Sequence, residues 1–210
     1  MDSIRRPGFH SPRAEPVANG SYCSGRIIAK MNGLLDQNII TGLYRASRAG
    51  VQIDLIVRGM CALRPGVRGL SEKIRVRSLV GRFLEHSRIF YFANGGDEEV
   101  YLGSADWMPR NLYERVEVMF PVQDPVLKER LRIEILGAYL ADTVKARLLR
   151  PDGSYVRAGR AAGTRGTKTA PAFNAQEFLV ELAEGKRLIQ SIPPTKDMRK
   201  SSAKNLISYA

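Results

Sequence analysis

His86-Ser87-Arg88 and Gly103-Ser104-Ala105-Asp106 are the residues of this chain whose types and spacing suit chemistry on phosphate. In an extended strand side chains alternate, so a histidine and an arginine two apart share one side. A hydroxyl and a carboxylate returning on the adjacent strand lie within cross-strand reach of them. An imidazole, with an ordinary pKa of about 6.5, can move a proton or a phosphoryl group near neutral pH. Arg88 adds a planar fork that matches two phosphate oxygens at once. Arg58 joins the set from a distance: it follows the most strand-like run of the chain, and ligands of open α/β sheets collect at the carboxyl ends of strands. It is either a phosphate clamp or the partner of a carboxylate such as Asp54 or Glu85. Lys30, Arg75, Arg77, Arg88 and Arg110 are candidates for lining the path of a polyanion, the alternative being an ordinary solvated face.

Positioning these groups needs a strand, helix, strand unit and a hairpin, and both are legible. Arg26-Ile27-Ile28-Ala29-Lys30-Met31-Asn32 is β-compatible. Asp36 stands where a helix N-cap would, ahead of Ile39, Ile40, Leu43, Tyr44 and Ser47 at helical spacing, and Gly50 closes that helix. Val51 to Val57 is the next strand, so the first half has the order of a parallel crossover. Lys73-Ile74-Arg75-Val76-Arg77 alternates with period two, and residues 79–85 are expected to be helical. The runs 89–92 and 100–102 flank Asn94-Gly95-Gly96-Asp97, a hairpin signal. Residues 115–120 alternate again. Asp124-Pro125 opens a helix through Leu127, Leu131, Ile135, Leu136, Tyr139 and Leu140. A short amphipathic helix is expected over residues 173–185, through Phe178, Leu179 and Leu182. Trp107 is expected to anchor packing, with Met60, Met108 and Met119 as core filler.

The chain has 210 residues and a formal charge of +12, from 33 Lys plus Arg against 21 Asp plus Glu. That excess favours a polyanionic partner without choosing one. Residues 145–168 carry seven cations against Asp152 alone, half of the excess, and are either a solvated strip or a polyanion-binding strip. Cys23 and Cys61 are too few for a disulfide framework or a four-ligand zinc site. No run approaches the roughly 20 apolar residues of a membrane span, and the N-terminus lacks the apolar block of a secretory signal. The expected compartment is therefore cytoplasmic.

The His-x-Arg and Gly-Ser-x-Asp set resembles the His-x-Lys with Gly-Ser-x-Asn pattern of the phospholipase D superfamily. The two replacements point away from an ordinary phosphodiesterase and toward a branch that handles phosphate chains. Longer strings narrow the resemblance: Ala29-Lys30-Met31-Asn32, Leu55-Ile56-Val57-Arg58-Gly59-Met60-Cys61, Ile74-Arg75-Val76-Arg77-Ser78, Arg82-Phe83-Leu84-Glu85-His86-Ser87-Arg88 and Ser104-Ala105-Asp106-Trp107-Met108-Pro109-Arg110-Asn111. Together with Asp142-Thr143-Val144-Lys145-Ala146-Arg147 and Phe173-Asn174-Ala175-Gln176-Glu177-Phe178, they are similar to the last catalytic domain of bacterial polyphosphate kinase, over residues 25–185.

The resemblance implies an α/β fold of phospholipase-D-like type, a sandwich with a mixed, mostly parallel sheet flanked by helices. It implies a four-part enzyme that reversibly transfers the terminal phosphate of ATP to polyphosphate through a phosphohistidine. ATP, ADP and inorganic polyphosphate are then the partners, together with the enzyme's other domains. Carried over residue by residue, Arg58 and His86 correspond to a nucleotide-contacting arginine and to the second active-site histidine. The phosphorylated histidine and the arginines associated with magnesium belong to the preceding domain, so no metal ligand is expected here and the chain alone is expected to be inactive. His10 lies in the unmatched arm and is no substitute. The expected organisation is an arm without family match over residues 1–24, the catalytic domain over 25–150, a basic flexible segment over 151–172, and a short helix with a polar tail over 173–210. Two alternatives stand beside this reading: a polyanion-binding module for polyphosphate or nucleic acid, and a phosphodiesterase formed by two facing copies of His86.

Overall fold

The computed structural model describes residues 25–161 and 171–193. The N-terminal arm, residues 162–170 of the basic segment and the end of the polar tail lie outside the described residues.

β1 (Arg26–Met31) buries every residue but its first. Asp36 caps α1 (Gln37–Arg48) by accepting the Ile39 N–H at 2.9 Å, which satisfies one of the orphan donors of the first turn. Arg45 and Arg48 occupy its last turn, where the helix dipole favours cations. Gly50, at φ +93°, then turns the chain into β2 (Gln52–Val57). β3 (Ile74–Ser78) follows a long irregular connection. β4 (Arg88–Phe92) and β5 (Glu99–Gly103) form the expected hairpin around the turn Asn94–Gly96. β6 (Met119–Pro121) is an exposed edge strand. Asp124 caps α2 (Pro125–Arg130), which runs through a π-helical stretch, Leu131–Leu136, into α3 (Gly137–Ala141). β7 (Arg147–Leu149) and β8 (Tyr155–Arg157) make a second hairpin, followed by α4 (Ala158–Ala161) and α5 (Ala175–Ala183).

The eight strands form one sheet in the order β6-β5-β4-β1-β2-β3-β7-β8. A mixed sheet flanked by helices is thus found, but its parallel part is smaller than expected. Only β1 with β2 and β2 with β3 pair in parallel; the other five pairings are antiparallel. Short hairpin turns can only return a strand antiparallel, and these turns build both flanks of the sheet. Alternation along the strands gives the sheet two apolar faces. Ile27, Ala29, Met31, Ile53, Leu55 and Val57 pack with Leu43 of α1, whereas Ile28, Ile56, Ile89 and Tyr91 pack with Leu136, Tyr139 and Phe178 on the other side. Burial of a Leu, Ile or Phe side chain stabilises by about 1.5–3 kcal/mol.

Several local expectations are corrected. Residues 79–85 are irregular instead of helical: the N–H and C=O of Phe83 are both bonded by the Gln176 side chain, at 3.1 and 2.9 Å, in place of helical partners. The strand expected over residues 115–120 shrinks to β6, because Ser104 Oγ accepts the Val118 N–H at 3.0 Å. Met60 and Met119 are exposed and fill no core. Trp107 does anchor packing, stacked on Phe90 with centroids 5.0 Å apart. A boundary at residue 150 would cut the β7–β8 turn, in which Gly153 N–H bonds Arg150 C=O at 3.0 Å. The described part of the segment 151–172 includes β8 and α4, and α5 buries Phe178 in the same core as Leu136 and Tyr139. The hairpin and α5 are therefore part of the sheet domain, through pairing and burial that act across long sequence separations.

Candidate functional site

The carboxyl ends of β1, β2 and β5 and the start of the antiparallel β4 open at one edge of the sheet. Asn32, the residue after β1, joins them. Its Oδ1 accepts from Arg58 Nε at 3.1 Å, while its backbone N–H and Nδ2 donate to Asp106 Oδ1 at 2.6 and 3.2 Å. Asp106 also receives both edges of the Arg88 fork, Nε at 3.2 Å and Nη2 at 2.9 Å. Arg88 Nη1 donates to His86 Nδ1 at 3.0 Å and to the His86 carbonyl at 3.1 Å. A single hydrogen-bonded path thus runs from Arg58 to His86. Burial pushes the Asp106 carboxyl up, but hydrogen bonds from Arg88 and from the Asn32 backbone more than offset this and hold it below the usual range.

This path decides the state of the imidazole. A guanidinium has only donors, so Nδ1 accepts and the neutral ring carries its proton on Nε2. His86 is exposed, and that tautomer presents a donor to a ligand. An Nε2–H can donate a hydrogen bond to a phosphate oxygen; it has no lone pair for attack on phosphorus.

Arg58 meets no carboxylate among the described residues. Asp54 instead pairs with Arg26 and with Arg75, the latter at 2.9 Å, and Glu85 pairs with Lys30 at 3.2 Å. Of the structural alternatives weighed for Arg58, neither pairing forms, and its guanidinium remains half-buried beside open space. Ser78 Oγ donates to its carbonyl at 3.1 Å, and Gly59 makes the approach possible, since a Cβ there would lie 2.8 Å from Asn32 O.

The other candidate cations are not gathered on one open path. Lys30 is 3% exposed and Arg88 spends its fork on Asp106 and His86. Arg77 donates to the Tyr139 and Leu140 carbonyls at the end of α3, and Arg75 binds Asp54. Arg110 stands exposed at the start of the short π-helical stretch Arg110–Glu114. Alternation in a strand reports which residues share a face; a buried carboxylate or a helix end on that face then claims them. Ser104 is committed as well, donating to Glu117 and accepting from Val118.

Cations that sequence reading treated only as a strip build the open part of the site. A groove of about 730 Å³ is lined by Arg58, Gly59, Ser78, Val80, Val144, Lys145, Arg147, Tyr155 and Arg157, four cations with no carboxylate among the described residues. Arg147 and Arg157 are direct cross-strand partners, and Arg147 also stands opposite Ser78. Like charges placed opposite one another destabilise a sheet, an arrangement an anion between them relieves. Asn32, Gln176 and Tyr139 were also missed, since uncharged residues that organise a site carry no signal in composition. Among the described residues no group of three or more His, Cys, Asp or Glu could hold a metal ion.

The family description "Polyphosphate kinase C-terminal domain 2" matches residues 14–168. That match begins inside the arm for which no family match was expected. The chain is 57% identical over 163 residues to a Synechocystis polyphosphate kinase, covering 78% of this chain and 22% of that protein. It is 58% identical over 153 residues to polyphosphate kinase 1 of Chlorobaculum tepidum, covering 73% and 21%. The crystal structure of polyphosphate kinase from Porphyromonas gingivalis superposes with a TM-score of 0.68 at 47% identity, covering 78% of this chain and 24% of the other. The chain therefore spans about a fifth of the length of the curated relatives it matches. With residues 14–168 matched by the family description and 78% of its length aligned at 57% identity to a relative, the chain belongs to the polyphosphate kinase family and carries that family's C-terminal domain 2.

Proposed function

We propose that this chain supplies the phosphate-contacting half of an ATP:polyphosphate phosphotransferase site, in which a histidine from another part of the enzyme is the nucleophile. The observation that carries this reading is the carboxylate-free groove beginning at Arg58. Phosphoryl transfer needs positioning and neutralisation of developing charge more than covalent help from the protein. Arg58, held by Asn32 through Nε, keeps its outer nitrogens for the phosphates of ATP or ADP. His86 acts as the partner of the nucleophile: its Nε2–H donates a hydrogen bond to a phosphate oxygen and stabilises the charge that builds there. Lys145, Arg147 and Arg157 hold the polyphosphate chain beyond the reacting phosphate. The cytoplasm, where ATP is supplied, is the proposed compartment, and no helix among the described residues is long and apolar enough to cross a membrane.

Magnesium, expected for the complete enzyme, does not fit the groups at this edge. Asp106 is saturated by Asn32 and Arg88, and Glu85 by Lys30, Tyr139 and Gln176. Its ligands are assigned to the rest of the enzyme.

The test has two parts. Calorimetry with inorganic tripolyphosphate and with ATP should show binding that Arg58→Ala weakens by about tenfold or more, the scale of a lost charge-assisted pair. With γ-labelled ATP and polyphosphate, this chain alone should make no polymer and no stable phosphohistidine. Robust synthesis by the isolated chain, or an Arg58→Ala variant that binds as well as the parent, would sink the reading. Binding without any restoration of transfer on adding a polyphosphate kinase lacking this domain would favour a polyanion-binding module instead. Two facing copies of His86 are disfavoured as a phosphodiesterase by the Nε2–H tautomer, since one ring must attack phosphorus.

A further inference from the structure

We propose that Lys30 is a positioning residue for His86, its buried ammonium holding the two neighbours of that histidine so that the ring projects from the sheet edge. His86 lies in residues 79–87, which form neither helix nor strand. Leu79 anchors its start in the core, but packing does little to hold the rest: Val80, Phe83 and Leu84 are 68%, 52% and 74% exposed. Around His86 the fixed points are polar, and they converge beneath it. Lys30 Nζ lies 3.2 Å from Glu85 Oε2, donates to Ser87 Oγ at 2.8 Å and stands 3.4 Å from the Ser87 carbonyl. The ammonium therefore joins the residues immediately before and after His86. Its remaining side rests on the Tyr139 ring, 4.7 Å from the centroid.

A lysine at this depth is expensive, since burying an ammonium costs several kcal/mol unless it is well paired. Burial pulls Lys30 below the ordinary lysine range, although Glu85 opposes that shift. An apolar side chain in that place of β1 would leave Glu85 without its counter-charge, and the ammonium meets residues 85 and 87 and the Tyr139 ring. Two further groups complete the grip. Tyr139 Oη donates to Glu85 Oε2, and Gln176 Nε2 donates to Glu85 Oε1 at 2.7 Å while its amide also brackets the Phe83 backbone. Burial pushes the Glu85 carboxyl up, but the bonds from Tyr139 and Gln176 and the Lys30 charge bring it below the usual range, so the anchor is ionised at neutral pH. Lys30 itself, 3% exposed, is out of reach of a ligand.

The value of this role to phosphate binding rests on the reading of His86 given above, and two measurements on the full chain separate the two ideas. The first is the imidazole NMR spectrum of His86 in the free protein. The parent should show one Nε2–H tautomer, whereas Lys30→Met and Ser87→Ala should show an averaged ring. Unchanged ring signals in both variants would overturn the positioning role whatever His86 does. The second is tripolyphosphate affinity, measured for each variant alone and in a His86→Ala background. Lys30→Met should weaken binding about tenfold and Ser87→Ala about threefold, and neither should weaken it further once His86 is absent. Equal losses in the His86→Ala background would show that Lys30 acts on the ligand or the whole fold, and would reject the proposal. If His86→Ala alone leaves affinity unchanged while the ring signals respond, the assignment of His86 as a phosphate contact fails and the positioning stands. Ser87 is exposed, so Ser87→Ala keeps the test available should Lys30→Met fail to fold.

Discussion

At the scale of single residues, Asp106 organises more of the site than its neighbours in the motif. It is 6% exposed and receives Arg88 and Asn32, so it sets the posture of both His86 and Arg58 at one remove. Asp106→Asn leaves the Arg88 guanidinium, itself nearly buried, without its counter-charge, and breaking a buried pair in this way costs about 3–5 kcal/mol. Urea denaturation at pH 7 should show that loss. The pH dependence follows from the depressed carboxyl. With a folded pKa below its unfolded value, near 3.9 for an ordinary Asp, Asp106 contributes stability that is complete above that value and drains as pH falls through the folded one. Glu85 adds the same sign just above it. The parent should therefore lose stability steeply below about pH 4, and Asp106→Asn should show a shallower acid limb; identical limbs would contradict the assignment.

At the scale of elements, α5 and the β7–β8 hairpin are what the fold adds to the strand–helix–strand unit. Phe178 is 1% exposed and touches Phe173 with ring centroids 5.2 Å apart. Phe178→Ala should cost about 3–5 kcal/mol in equilibrium unfolding, as for other large core deletions, and a value under 1 kcal/mol would mean that α5 folds apart from the sheet. The hairpin is fixed by Arg64, whose Nε and Nη2 donate to the Pro151 carbonyl at 2.9 and 2.7 Å. It carries Arg147 opposite Arg157. Arg157→Glu converts a repulsive cross-strand pair to an attractive one and should raise stability by a few tenths to about 1 kcal/mol. Tripolyphosphate affinity should fall in the same variant. Thermal unfolding and calorimetry on one preparation check both signs, and a loss of stability or a gain of affinity would refute the account of the groove.

At the scale of the whole molecule, a charge of +12 predicts polyanion binding that weakens steeply with salt, because each neutralised phosphate releases counterions. Binding of a long polyphosphate should weaken with a shallower salt slope in an Arg147→Ala, Arg157→Ala double variant, by close to the two contacts removed; an unchanged slope would place the chain elsewhere. Much of the architecture was legible beforehand. Asp36 as a cap, the parallel β1 and β2, the hairpin around Asn94 to Gly96 and the helix opened by Asp124-Pro125 are local signals, set by caps, turns and periodicity within a dozen residues. The position of Arg58 at a strand end was legible too, whereas His86, expected on one strand with Arg88, lies before β4 in the irregular segment. The roles of the remaining cations were not. In the sequence Lys30, Arg77 and Arg88 read as a polyanion path or a solvated face, and Lys145, Arg147 and Arg157 as a solvated or a polyanion-binding strip; in the folded protein the first three are engaged by protein groups and the last three line the groove. The sequence by itself determined the family, the sheet's central strands and the presence of a phosphate-seeking charge. Only the tertiary structure decided which cations are neutralised inside and which remain open, because that depends on carboxylates and helix ends brought together from far along the chain: Glu85 to Lys30, Asp106 to Arg88, the end of α3 to Arg77.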